Sequence, residues 1–148
     1  MKIMLSKKKA KIPSRAHETD AGLDLYTPEN VSVPGCESDV WDGFAKIGSI
    51  VIDTGVHIEI PKGYVGFIKS KSGLMVKHGL TADGTIDSGY VGSIRVKLFN
   101  HLPTAYTFKA GEKIAQLVIL PILTPDLELV DELDDTDRGS NGFGSSGR

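Results

Sequence analysis

The feature that most limits how this chain can fold is a period of two. Val56-His57-Ile58-Glu59-Ile60 and Ile94-Arg95-Val96-Lys97-Leu98 each place three aliphatic side chains on one face and two polar ones on the other. Only an extended strand separates residues i, i+2 and i+4 in this way. Leu127-Glu128-Leu129 is a shorter case, and the more continuously apolar run Lys113 to Leu120 predicts a strand covered on both faces. Turn chemistry divides the runs at Val33-Pro34-Gly35, Ile60-Pro61-Lys62-Gly63 and Lys109-Ala110-Gly111. Helical periodicity is confined to one or two turns near Ser72 to Lys77. Many short strands at near-regular spacing predict an all-β sandwich or barrel. A chain of 148 residues holds one such core. The expected division is a β domain over residues 1–134 and a flexible Gly/Ser-rich C-terminal arm over 135–148, entered through Asp134, Asp135 and Asp137.

Charge and cysteine content exclude several function classes. With a formal net charge of −2 the chain carries no global field that would recruit nucleic acid. The cationic cluster Lys7, Lys8, Lys9 and Lys11 reads as a solvated edge. A single cysteine, Cys36, rules out an internal disulfide and a cysteine-based metal cluster, and a free thiol suits a reducing cytosol. The longest apolar stretch, Leu117 to Leu123, is too short to span a bilayer, and no run has the form of a signal peptide. A cytoplasmic protein, or a viral one acting in the host cytoplasm, with no membrane partner is expected.

Five constellations carry chemistry. Asp24 lies between Leu23 and Leu25 and points away from their face; it either anchors a neighbouring strand or stands in the outer shell of a metal. Lys69-Ser70-Lys71-Ser72-Gly73 brings charge, hydroxyls and an open backbone to the end of a strand, as either a polar turn or a phosphate site. It lacks the Gly-Lys-Ser/Thr ending of a P-loop. Gly84-Thr85-Ile86-Asp87-Ser88-Gly89-Tyr90 sets a carboxylate three positions before a tyrosine in a glycine-punctuated loop. That is either a hairpin with an Asx turn or a base beside a sugar platform. Gln116 is an amide in an apolar strand, either satisfying a backbone group or pointing into a site. Last comes Arg138 to Arg148, where a guanidinium, glycines, hydroxyls and the lone ring of Phe143 offer a phosphate fork and a stacking surface in a segment too glycine-rich to pack. Together these are the parts of a nucleoside triphosphate site.

In this order, the five blocks resemble the motifs of the homotrimeric dUTP pyrophosphatases, from about Ala21 to Gly147. The most specific parts are Gly84 to Tyr90 with Leu98-Phe99-Asn100, and Arg138 to Gly147. The resemblance implies a jelly-roll subunit, three per assembly, with each active site built from several chains. It implies hydrolysis of dUTP to dUMP and pyrophosphate with Mg2+. Asp87 would activate water for attack on the α-phosphorus. Tyr90 would lie under the deoxyribose and leave no room for a 2′-hydroxyl, and the loop from Gly79 to Ile86, including Thr81, Gly84 and Thr85, would read the uracil edge. Lys71, Ser72, Gly73 and Gln116 would hold phosphates, and Asp24 would contact Mg2+ through water. Arg138, Gly144, Ser145 and Ser146 would grip the terminal phosphate while Phe143 stacks on the base.

Three departures stand out. Lys71 replaces an arginine common in the family and loses its bidentate geometry. Thr81 stands where bacterial relatives often have asparagine. Residues 36–53, with Trp41, read as a surface insertion that contacts a protein partner. Two alternatives remain in play. A nucleotide-sensing regulatory protein would keep all five motifs. A dCTP deaminase of the same fold would need a catalytic glutamate where Lys97 stands, and a lysine cannot supply that carboxylate. A purely structural jelly roll would leave Asp87, Tyr90 and the arm without a purpose.

Overall fold

The computed structural model describes residues 1–37, 46–136 and 139–140. Among them ten strands and one short helix follow in the order β1 (Ile3–Leu5), β2 (Gly22–Tyr26), β3 (Val31–Val33), β4 (Gly48–Asp53), β5 (Val56–Ile58), β6 (Tyr64–Lys69), α1 (Ser72–His78), β7 (Leu80–Ile86), β8 (Arg95–Asn100), β9 (Tyr106–Phe108) and β10 (Lys113–Pro121). A six-stranded sheet runs β2-β10-β6-β7-β8-β4, and two-stranded sheets β1-β5 and β3-β9 fold against it. All pairings are antiparallel, so the architecture is all-β and jelly-roll-like.

The period of two builds this core. Val56 and Ile58 are buried on β5, and Ile94, Val96 and Leu98 are buried while Arg95 and Lys97 face water. They join Leu25, Ile52, Phe108, Ile114 and Leu117 in one cluster. Each such side chain contributes about 1.5–3 kcal/mol on burial, which outweighs any local preference of these short strands. The helix runs one residue beyond the sequence reading and stops at Gly79, whose φ of 60° lets its N–H turn back to Met75 O at 3.1 Å.

Four expectations need correction. Burial on both faces of β10 holds for Ile114 to Leu117 only; Val118 and Ile119 are half-buried and Leu120 is 45% exposed, because the strand outruns the core. Leu127-Glu128-Leu129 forms no strand. Leu127 and Leu129 are 98% and 100% exposed with no described strand beside them, and alternation without a partner edge makes no ladder. The presumed insertion over 36–53 is shorter than it looked. Gly48–Asp53 is β4, pairing Ile50 with Leu98 and Ile52 with Val96, and Glu37 and Lys46 form an isolated bridge ahead of it. Residues 38–45, including Trp41, lie outside the described residues. The lysine cluster is also not merely solvated: Lys7 Nζ donates to Asp53 O at 2.8 Å and Lys11 Nζ to Gly111 O at 3.0 Å.

Candidate active site

Three strands bring the phosphate-type residues into one row. On β10, Gln116 lies opposite Asp24 of β2 on one side and Lys69 of β6 on the other. Its side chain folds over Gly22, where a Cβ would sit 2.2 Å from Gln116 Oε1, so only glycine admits this rotamer. The amide donates to Ser70 O at 3.0 Å, and Ser70 Oγ bridges to β7 by accepting from Ala82 N at 2.9 Å and donating to Ala82 O at 3.0 Å. The turn that follows β6 is therefore fixed from both neighbouring strands before it enters α1.

Asp24 is the electrostatic centre of this row. It is 4% exposed, with Lys71 on Oδ1 and Lys113 Nζ 2.6 Å from Oδ2. Burial pushes its carboxyl pKa upward, but hydrogen bonds and charge from Lys113 and Lys71 outweigh it and hold the group below the ordinary carboxylate range. The same contact with Asp24 raises the Lys113 pKa. Of the two readings open for Asp24, anchoring is directly visible. At the start of α1 no side chain caps the helix, so the Ser72 and Gly73 backbone is exposed beside Lys71.

The third constellation is a strand before it is a loop. Leu80–Ile86 forms β7, with residues 80–82 paired to β8 and residues 83–86 paired to β6. On its side away from β6 the 83–86 stretch faces no described strand, so Gly84, Thr85 and Ile86 present a free backbone edge of the kind that reads flat ligands through N–H and C=O groups. The 80–86 stretch is therefore strand throughout, and the loop begins only after Ile86. Thr81 Oγ1 is hydrogen-bonded to His101 Nε2 at 2.8 Å. The chain then turns: Tyr90 N–H donates to Asp87 O at 3.2 Å, with Gly89 at φ 89°. Asp87 and Tyr90 are exposed, and the Tyr90 ring lies over Gly92 with its hydroxyl donating to Ser93 O at 3.0 Å.

Within one chain the structure does not bring these two groups together. Ile86 pairs with Gly66 and Asp83 with Lys69, so the Asp87 turn and the Lys71 turn leave opposite ends of the β6–β7 pair. At about 3.3 Å per residue that is roughly 15 Å. Arg138, Phe143, Gly144, Ser145 and Ser146 lie outside the described residues. Spacing alone gives Lys113 no site role and marks Ser70 only as one hydroxyl of the Lys69–Gly73 turn. A register shift between Lys113 and Ala115 sets Lys113 toward Asp24, and nothing in the sequence signals that bulge. Lys113 also borders an open cavity of about 520 Å3 with Tyr26, Leu74 and Tyr106.

No group of three or more His, Cys, Asp or Glu side chains able to hold a metal occurs among the described residues. The single carboxylate Asp24 fits a hard ion carried mainly by water and substrate phosphates, the usual manner of Mg2+, and does not fit a resident metal cage. Lys97 lies with its ammonium 4.9 Å from the centroid of the Phe99 ring.

A family model for dUTPase matches residues 8–147. A deoxyuridine 5′-triphosphate nucleotidohydrolase of Clostridium novyi is 42% identical over 152 residues, covering 99% of each chain. In structure, a point mutant of the Staphylococcus bacteriophage 80alpha dUTPase solved with dUpNHpp superimposes with a TM-score of 0.86 at 34% identity, covering 99% of this chain and 98% of that one. A point mutant of the dUTPase from phage phi11 of S. aureus, described with a structural Mg(II) ion, gives a TM-score of 0.77 at 31% identity over 90% of this chain and 98% of that one.

Proposed function

The chain belongs to the dUTPase family, and from that premise we propose how its residues carry out the reaction. The protein is an enzyme that hydrolyses dUTP. Asp87 takes a proton from water, the water oxygen bonds to the α-phosphorus, and the bond to the bridging oxygen breaks to release pyrophosphate and dUMP. The free edge of Asp83–Ile86 reads the uracil, and Tyr90 packs under the sugar and refuses a 2′-hydroxyl. Lys71, Lys113, Ser72, Gly73 and Gln116 face the phosphates. Lys71 and Lys113 exchange Asp24 for phosphate oxygens, which makes the aspartate a holder of cationic groups between turnovers. Mg2+, when bound, neutralises phosphate charge, with Asp24 as its water-mediated contact.

The observation that carries this reading is the Asp87–Tyr90 turn following directly on a strand edge that no described strand pairs, which supports a carboxylate base acting beside a backbone that reads the uracil. The separation of that turn from the Lys71 row supports a site completed between chains. The expected assembly is a homotrimer, and an active monomer by sedimentation at micromolar concentration would refute it. The arm over 135–148 closes on the nucleotide through Arg138, Phe143, Gly144, Ser145 and Ser146, the reaction takes place in the cytoplasm, and the 36–53 segment is the contact for a protein partner. Pyrophosphate release from dUTP, UTP, dTTP and dCTP with Mg2+ tests the specificity. Release from dCTP or UTP comparable to that from dUTP would overturn it.

A further inference from the structure

After Tyr90 the chain crosses residues 91–94 without regular pairing and enters β8. Every residue of that crossing but Gly92 is held by one short segment, Asp53 to His57, that belongs to none of the five constellations. His57 Nδ1 lies 2.8 Å from Val91 O; a carbonyl only accepts, so this nitrogen carries the proton and donates. In the neutral ring Nε2 then accepts from Ser6 Oγ at 2.9 Å, and Ser6 N–H is fixed on Gly55 O at 2.8 Å. Ser93 Oγ donates to Asp53 Oδ1, which also accepts from Gly55 N at 3.0 Å, while Lys7 Nζ stands 3.5 Å from Oδ2. Ile94 donates to Val56 O at 2.8 Å, and its carbonyl accepts from Thr54 Oγ1 at 2.7 Å and Thr54 N at 3.1 Å.

The period of two explains why His57 is available for this. Val56 and Ile58 enter the core, and His57, opposite Met4 of β1, faces the other way. The ring of Tyr90 rests on Gly92 and its hydroxyl donates to Ser93 O, so a shift at 91 or 93 reaches the ring across a single residue.

We propose that Asp53 and His57 are positioning residues that set the height and tilt of the Tyr90 ring, and through it the choice of deoxyribose over ribose. His57 holds the backbone on one side of Gly92 and Asp53 holds the side chain of Ser93 on the other. The inference rests on Tyr90 as the sugar platform and adds the device that keeps it in place. Released from either anchor, the ring drops away from the sugar and a 2′-hydroxyl fits above it.

The test compares kcat/KM for dUTP and for UTP in His57→Leu, His57→Asn, Asp53→Ala and Tyr90→Ala, with thermal midpoint and assembly state measured alongside. His57→Leu and Asp53→Ala are expected to lower the dUTP:UTP ratio by about three- to tenfold, the effect of losing one net hydrogen bond. His57→Asn, whose amide N–H occupies the Nδ1 position, is expected to restore most of it, which a merely structural role would not produce. Asp53→Ala removes a different contact from the same crossing and keeps the test decisive where His57→Leu folds poorly. A wild-type ratio in His57→Leu and Asp53→Ala, with the ratio lost in Tyr90→Ala, overturns this proposal alone. A wild-type ratio in Tyr90→Ala overturns the platform reading and the proposal with it.

Discussion

Replacing Asp24 by Asn isolates the electrostatics of the phosphate row. The amide is nearly isosteric, so packing on β2 survives, but the one carboxylate between Lys71 and Lys113 is gone. Asp24 is 4% exposed, and its desolvation opposes folding. Charge-assisted hydrogen bonds to a buried carboxylate contribute about 1.5–3 kcal/mol. The Lys71 side chain is 27% exposed, so water reaches one side of the pair and the effective dielectric is nearer 20 than 4. A net loss of about 1–3 kcal/mol follows for the metal-free, nucleotide-free protein at pH 7. Because the folded-state pKa of Asp24 is lowered, its contribution is fully present above the unfolded value of about 3.9 and disappears as pH falls through the lower folded value. Urea unfolding of wild type and Asp24→Asn at fixed protein concentration, from pH 7 to pH 3 in a chelating buffer, measures this. The gap between the two is expected to stay constant down to about pH 5 and to close below about pH 4. Equal stability at pH 7, or a gap that does not change with pH, would refute the reasoning.

Three further outcomes are expected. Asp87→Asn keeps the fold and nucleotide binding but loses about 10²–10⁴-fold in turnover, because an amide cannot take the proton from water; steady-state pyrophosphate release within a few-fold of wild type would assign the base elsewhere. Asn100→Ala, which strips bonds from Asn100 Nδ2 to Thr104 O at 2.9 Å and from Leu102 N to Asn100 Oδ1 at 3.0 Å at a fully buried position, is expected to lose about 2–4 kcal/mol in chemical denaturation. Deleting residues 138–148 is expected to leave the thermal midpoint within about 2 °C while turnover of dUTP falls steeply, the outcome required if the glycine-rich arm acts by closing on the nucleotide as proposed. Full activity of the truncated protein would make the arm dispensable.

The residue order alone determined the fold class and named the candidate groups. Val56 to Ile60 and Ile94 to Leu98 can bury one face only as strands, and Gly84 to Tyr90 carries its carboxylate, glycines and ring within seven residues, so local spacing suffices to mark a core and a candidate site. Leu127-Glu128-Leu129 has the same alternation and forms no strand, because a ladder also needs a partner edge that no local pattern reports. Ile50-Val51-Ile52 falls inside the stretch read as an insertion from its length beside Cys36 and Trp41; pairing with Leu98 and Val96, nearly fifty residues on, makes it a strand of the main sheet. The same distance separates Asp24 from Lys71, and a larger one from Lys113. Whether a lone aspartate anchors a strand, meets a metal or restrains two lysines depends on the register of three strands and a bulge in one of them. The sequence names the groups, and only the antiparallel register, set by which faces the core buries, brings their charges within reach of one another.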